Sequence, residues 1–344
     1  MEQIWDNPFK NLSTTPYCMI CASSGSHTAV FPDGTEMSVV DVKRDLNLTQ
    51  LFAWNAERRD LLDWIEYFKL NPDYKGKIVI DSGAYSAWSR GKEFDVDEYI
   101  DFLHSSGSID ICFWAAEADV IPGTMGVDPT YEQILDAAEQ SWSNYLYMVS
   151  KVKYPKKILP IFHQGEDFKY LVQMLEYTFE DGEHIPYIGI SPRNDVHVNE
   201  KIKWYEKVWK IIKNSSNPNV LTHNFGMTTT SVIEQYPSFS SDSTSWIRGA
   251  AFGSIFILDN NKMKLVYVSD RDKNSNNHIN NKNVTLRKYV DDMCKTIGHG
   301  LTLEALSQDP NGALRGIFNL YVINDWANNF KFKGNDLFKS ELWF

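Results

Sequence analysis

The sequence predicts an α/β protein, a (β/α)8 TIM-like barrel followed by a C-terminal β-hairpin and a helical cap. Three observations carry that expectation. Eight short apolar runs recur between residues 16 and 246. Amphipathic segments, with apolar residues at three-to-four spacing, lie between several of them. The stretch is also about the 250 residues that a closed barrel of this kind takes. Continuous apolar strands alternating with helices imply parallel strands buried on both faces. The competitor is an open doubly wound sheet, which favours a glycine-rich phosphate loop. Neither G-x-G-x-x-G nor G-x-x-x-x-G-K-[ST] occurs.

In chain order the runs are PYCMICASS (16–24), TQLFAWN (49–55), GKIVIDSG (76–83), IDICFWAAEAD (109–119), KILPIFHQG (157–165), IPYIGISP (185–192), NVLTHNFG (219–226) and SFSSDSTSW (238–246). The last carries five Ser and has the weakest strand pattern. Helices are expected at 56–69, 95–104, 129–150, 167–179 and 199–213. Past Trp246, GSIFILDNNKMKLVYVSD (253–270) reads as a hairpin turning at Asp259, Asn260 and Asn261. RDKNSNNHINNKN (271–283) reads as a mobile polar loop, and 284–332 as helical with a break and restart at DPNGALRG (309–316). The whole is expected to be one domain, with the barrel core at about 16–250 and the hairpin and cap at about 251–344.

With 344 residues, 43% hydrophobic and 23% charged, the chain can bury a sizeable core, and wholesale disorder is excluded. A net charge of −11 argues against a small basic nucleic-acid-binding domain, although a local basic stripe is compatible with it. Cys18 and Cys21 form a C-x-x-C inside an apolar run, with no second pair and no nearby His pair, and read as buried strand positions rather than zinc ligands. Cys112 and Cys294 stand alone. No apolar stretch approaches the roughly 20 residues that span a bilayer. MEQIWDNPFK lacks a basic n-region followed by an apolar h-region, so a cytoplasmic protein is expected.

In a barrel the C-terminal ends of the strands converge on one mouth, where chemistry is placed. The tips read Ser23 and Ser24, Asn55, Asp81, Glu117 and Asp119, His163 and Gln164, Ser191, His223 and Asn224, and Asp242. All are polar, and three of these tips bring carboxylates from distant parts of the chain. His163, His184, His197 and His223 are scattered, so no metal site is expected. There is no G-x-S-x-G elbow. What remains is a carboxylate pair of the kind used at an anomeric carbon, one attacking C1 and the other handling protons. The residues by themselves reach glycosyl transfer or hydrolysis in a barrel.

Asp81-Ser82-Gly83-Ala84-Tyr85 resembles the D-S-G-G-[FY] signature of tRNA-guanine transglycosylases. The resemblance continues in order through Asp119 in AEADVIPG, His163-Gln164-Gly165 for the family's V-Q-G, Tyr187 to Ile190 for its glycine-bearing strand, His223 to Met227 for its L-M-G-V, and Ser241-Asp242-Ser243 for its F-D-S. It covers roughly residues 77–248, and the collinear set is more specific than any one motif. The tRNA-acting members carry a C-x-C-x-x-C…H zinc site near the C-terminus, where this chain has only Cys294. The chain therefore looks most like the phage and bacterial branch that exchanges guanine in DNA for a 7-deazaguanine base, such as 7-cyano-7-deazaguanine. If it is phage-encoded, the compartment is the host cytoplasm.

The resemblance implies Asp242 as the nucleophile at C1′ and Asp81 as the general acid/base. It implies Asp119 as acceptor for the N1–H and amine of the purine, and Gln164 and the backbone at Gly189 as readers of the O6 side. Tyr85 and Met227 would sandwich the ring. Ser82, Gly165 and His223 fall within the same motifs and join the substrate-binding set. No cofactor and no metal are implied. A guanine within a duplex must leave the stack before C1′ can be attacked, so the DNA partner is expected to be flipped or single-stranded at the site.

Phosphates need cations. Residues 151–157 carry net +4, 201–213 net +4 and 261–290 net +5. Lys203, Lys207 and Lys210 share one face of the 199–213 helix, which can equally be a solvated outer face. Lys262, Lys264, Arg271 and Lys273 in the hairpin and loop are the better candidates for backbone contact, and Arg248 for a phosphate near the scissile nucleotide. Alternatives are the same chemistry on tRNA, a non-catalytic nucleic-acid-binding accessory barrel, and a sugar-directed glycosidase.

Overall fold

A computed structural model of the chain describes residues 18–330 apart from 24, 26, 125, 194 and 237. The MEQIWDNPFK segment, the start of the first run and the tip Ser24 lie outside the described residues. All eight apolar runs contain a strand of one parallel barrel. These are β1 (Cys18–Ala22), β2 (Thr49–Ala53), β3 (Ile78–Asp81), β4 (Trp114–Ala116), β5 in two pieces (Ile158–Leu159 and Ile161–His163), β6 (Tyr187–Ser191), β7 (Leu221–Asn224) and β8 (Ser240–Ser243). Each pairs with the next in sequence, and β8 returns to β1 with Asp242 opposite Ile20.

The seam of the barrel is at Pro160, which has no N–H to give. The first piece of β5 pairs with β4 and the second with β6. Glu117 bridges the gap. Its backbone N–H donates to Leu159 O at 3.0 Å, and its Oε1 accepts from Ile161 N–H at 2.7 Å. Burial pushes this carboxyl well above the usual range. Glu117, a tip residue by sequence, thus belongs to the wall rather than the mouth.

Register decides which residues face the lumen. Asp242 is opposite Ile20, Ala53 opposite Asp81, Val79 opposite Trp114, Ala116 opposite Leu159, Ile161 opposite Gly189, and His223 opposite both Gly189 and Ser240. Successive strand residues alternate faces, so Asp81, His163, His223 and Asp242 all point inward. Packing agrees, since the rings of Trp114 and His223, from opposite sides of the barrel, lie 4.9 Å apart. Gly189 makes room in that layer, because a Cβ there would come within 2.6 Å of the Phe225 ring.

Helices Arg58–Leu70, Val96–Ser105, Tyr131–Lys151, Phe168–Glu176 and Val198–Lys213 occupy the expected connections. A small antiparallel pair, Thr28–Val30 with Glu36–Ser38, follows β1 and has no counterpart in the sequence expectation. The tip of β1 is anchored from below by Lys43, whose buried ammonium donates to Ser23 O at 2.8 Å and Gln50 Oε1 at 2.6 Å. Burial lowers that lysine to about 8.

The hairpin forms as expected from β9 (Ser254–Asp259) and β10 (Lys262–Tyr267). Its turn residues Asn260 and Asn261 both take positive φ (52° and 62°), the conformation of the turns that match strand twist. The Asn-rich loop is packed down rather than open. Tyr267 N–H donates to Asn277 O at 3.1 Å, and His278 and Ile279 are buried. In the cap, the helix Ala313–Asn329 is tied to the segment after β8. Buried Arg315 donates to Ala250 O at 2.7 Å and Leu306 O at 2.8 Å, and Asn319 donates to Trp246 O at 2.7 Å. Among the described residues, no helix is long and apolar enough to cross a membrane.

Candidate active site in the barrel mouth

Asp81 ends β3, and the chain turns at once through Gly83 with φ +74°. That glycine is required twice over: the left-handed backbone favours it, and a Cβ would lie 2.1 Å from Asn55 Oδ1. Its N–H donates to Asp81 Oδ1 at 3.3 Å, and its carbonyl accepts from Asn55 Nδ2 at 2.7 Å. The buried Ser82 hydroxyl donates to Asp119 Oδ1 at 3.2 Å and accepts from Ala84 N–H at 3.2 Å. The D-S-G sequence is therefore a turn that links the two carboxylates. Burial, with the nearby charges of Asp119 and Asp242 adding to it against the Gly83 hydrogen bond, raises Asp81 to about 7.

His163 stands between Asp119 and Glu166. Its Nε2 is 3.5 Å from Asp119 Oδ2, its Nδ1 is 2.9 Å from Glu166 Oε1, and its backbone N–H donates to Glu166 Oε2 at 3.1 Å. Burial works to lower its pKa, but the two carboxylates outweigh that and hold it well above the usual histidine value. Sequence reasoning places His163 at a tip and in the His163-Gln164-Gly165 motif without a role of its own, and passes over Glu166. The signal that could find them is a histidine with a carboxylate three residues on, in a strand tip facing Asp119.

Asp242, in β8, has a side chain only 11% exposed. Its Oδ1 accepts from Gly226 N–H at 2.8 Å and lies 3.2 Å from His223 Nε2. His223 is fully buried, and its Nδ1 lies 2.7 Å from Ser240 Oγ, which in turn meets the Tyr187 hydroxyl. His223 therefore does not reach a ligand, because both ring nitrogens are engaged within the barrel.

Other expected substrate contacts are also redistributed. The Gly189 N–H is taken by Pro160 O at 2.7 Å, so it is not free to read a base. Met227 is 1% exposed whereas Tyr85 is 60% exposed, with its ring 5.6 Å from that of Trp88. Of the expected sandwich, only Tyr85 presents a surface. Gln164 Oε1 accepts from Arg193 N–H at 3.0 Å, which ties the β5 and β6 tips together. Gly165 is exposed at φ +121°, with open space where a Cβ would stand.

Arg248, Lys262, Lys264, Arg271, Lys273, Lys203 and Lys207 are all exposed. Lys264 pairs with Asp259 at 2.6 Å. A cleft of about 470 Å³ runs between residues 228–231 and 262–265, with Ser245 on its wall. Lys262 and Lys264 thus border the segments that directly follow Met227 and Asp242. Lys203 and Lys207 lie on the outer face of Val198–Lys213, whose inner face buries Trp204, Tyr205, Val208 and Trp209.

Cys18 and Cys21 lie on β1 as expected, and burial raises both thiols, Cys21 to about 11. Among the described residues no three His, Cys, Asp or Glu side chains are grouped to hold a metal. Compared with protein families and with curated proteins, the chain finds no match.

Proposed function

We propose that the protein is a DNA guanine transglycosylase that exchanges guanine for a 7-deazaguanine base by double displacement at C1′. The observation that carries the reading is one mouth holding Asp81, Asp119 and Asp242, with Asp81 raised to about 7 and Asp242 fixed by hydrogen bonds. A carboxyl poised near neutrality can give and take a proton in the same cycle. A second carboxylate held in place suits covalent attack.

In this reading an Asp242 oxygen bonds to C1′ as the C1′–N9 bond breaks. The bonding pair goes to N9 of guanine, which takes a proton from Asp81. The incoming base returns its N9 proton to Asp81 and attacks C1′, and the ester's electron pair goes back to Asp242. Two displacements retain configuration. Asp119, braced by Ser82 and His163, accepts from the guanidine-like edge of the base, and Tyr85 stacks on the ring. DNA rather than tRNA is favoured by the missing C-terminal cysteine motif. Lys262, Lys264 and Arg248 contact phosphates, and no cofactor takes part in this scheme.

The test is incubation of purified protein with DNA or tRNA and isotope-labelled guanine or 7-deazaguanine, followed by mass spectrometry of the nucleosides. Label in DNA is expected. Label in tRNA alone overturns the DNA assignment, and release of reducing sugar without base exchange overturns transglycosylation.

A further inference from the structure

Below Asp242 runs a file of buried polar groups, Tyr187 hydroxyl, Ser240 Oγ and the His223 ring, to which the exchange scheme assigns no part. We propose that His223, aligned by Ser240 and Tyr187, is a positioning residue that fixes Asp242 so that Oδ2 is the oxygen bonding to C1′; the assignment rests on the transglycosylase reading.

The two oxygens of Asp242 are not equivalent. Oδ1 takes both the Gly226 N–H at 2.8 Å and His223 at 3.2 Å. Oδ2 has no hydrogen-bond partner among the described residues. A carboxylate can only accept, so the Nε2 that faces it must carry the proton. With the ring proton on Nε2 alone, Nδ1 accepts from Ser240 O–H, and Ser240 accepts from Tyr187 O–H. Each group in the file thus donates toward the aspartate. The ring has no freedom to turn, being fully buried with Trp114 at 4.9 Å and Phe225 edge-on at 4.5 Å.

This arrangement bears on both displacements. When Oδ2 bonds to C1′, Oδ1 becomes the ester carbonyl and keeps its two donors. When the incoming base attacks, the C1′–Oδ2 pair returns to the carboxylate, and the same donors stabilise the charge that reappears. They also hold the carboxylate plane, so that Oδ2 stays aimed into the mouth.

The experiment combines nitrogen-resolved NMR of the imidazoles with exchange kinetics on DNA. The spectrum should show His223 with its proton on Nε2, and that resonance should vanish in His223→Gln. In kinetics, His223→Ala should lower kcat about 100-fold with the KM for base nearly unchanged, and His223→Gln, which keeps a donor near the Nε2 position, should recover about tenfold of it. Tyr187→Phe, which removes only the end of the file, should lower kcat about threefold to tenfold. A proton on Nδ1, or equal loss in the Ala and Gln variants, overturns this assignment while leaving the transglycosylase reading intact. Wild-type protein without exchange activity overturns both.

Discussion

On one side of the mouth, Asp81, Asp119, His163 and Glu166 crowd together: burial, with the charge of Asp119 adding to it, raises Asp81 to about 7, and Glu166 and Asp119 hold His163 well above its usual range. On the other side, the Gly226 N–H and the His223 ring meet Asp242 Oδ1, and behind them lies a buried file ending in aromatic packing. The first side is built to change protonation state and the second to hold geometry. The division of labour in the proposed chemistry follows, because a proton carrier needs a pKa near working pH whereas a nucleophile needs a fixed approach. The difference arises from the neighbours, since both sides use the same residue type.

The comparison breaks most sharply at Asp242. Asp242→Ala should reduce base exchange by about 10⁴-fold or more and abolish any covalent protein–DNA species on denaturing gels. Asp81→Asn should cost about 10²–10⁴-fold in exchange and remove the limb of the pH–rate profile near 7. An unchanged profile would take the proton-carrying role away from that side. Asp119→Asn leaves the catalytic pair in place and loses a charged acceptor. Its KM for base should rise about 10- to 100-fold with a smaller change in kcat. Replacing Lys262 and Arg248 together by Ala should weaken DNA binding severalfold and make the slope of log affinity against log salt shallower by about two. Lys203→Ala and Lys207→Ala should change neither.

A stability measurement sharpens the comparison without any substrate. The folded pKa of Asp81, about 7, lies above its ordinary value of 3.8, so between those limits the folded protein holds a proton that the unfolded chain has released. This group's contribution to stability is therefore present at low pH and lost as pH rises through about 7. Asp81→Asn keeps an acceptor for Gly83 N–H without the buried charge. Its melting temperature should exceed that of the wild type by about 1–2 °C at pH 8, the effect of about 1 kcal/mol in a chain of 344 residues, and match it near pH 4.

Much of the architecture was legible along the chain because strand and helix periodicities are local. Each apolar run contained its barrel strand, and the Asn260-Asn261 turn announced its hairpin. Two features mislead for a physical reason. The Ser-rich run looks too polar for a strand, yet Ser240–Ser243 is buried because the lumen beside it is itself hydrogen-bonded. The Asn-rich loop looks mobile, yet Ile279 anchors it in the core.

The sequence by itself determined the barrel, the polar tips and the presence of carboxylates on three of them. Only tertiary structure decided which of those tips share the lumen, and that Glu117 closes the seam at Pro160 while His223 backs Asp242. The reason is register: a strand's alternation has two settings, and a shift of one residue exchanges its two faces. The pairings around the barrel set that alternation, and the setting found turns Asp81 and Asp242 to the same face of the sheet.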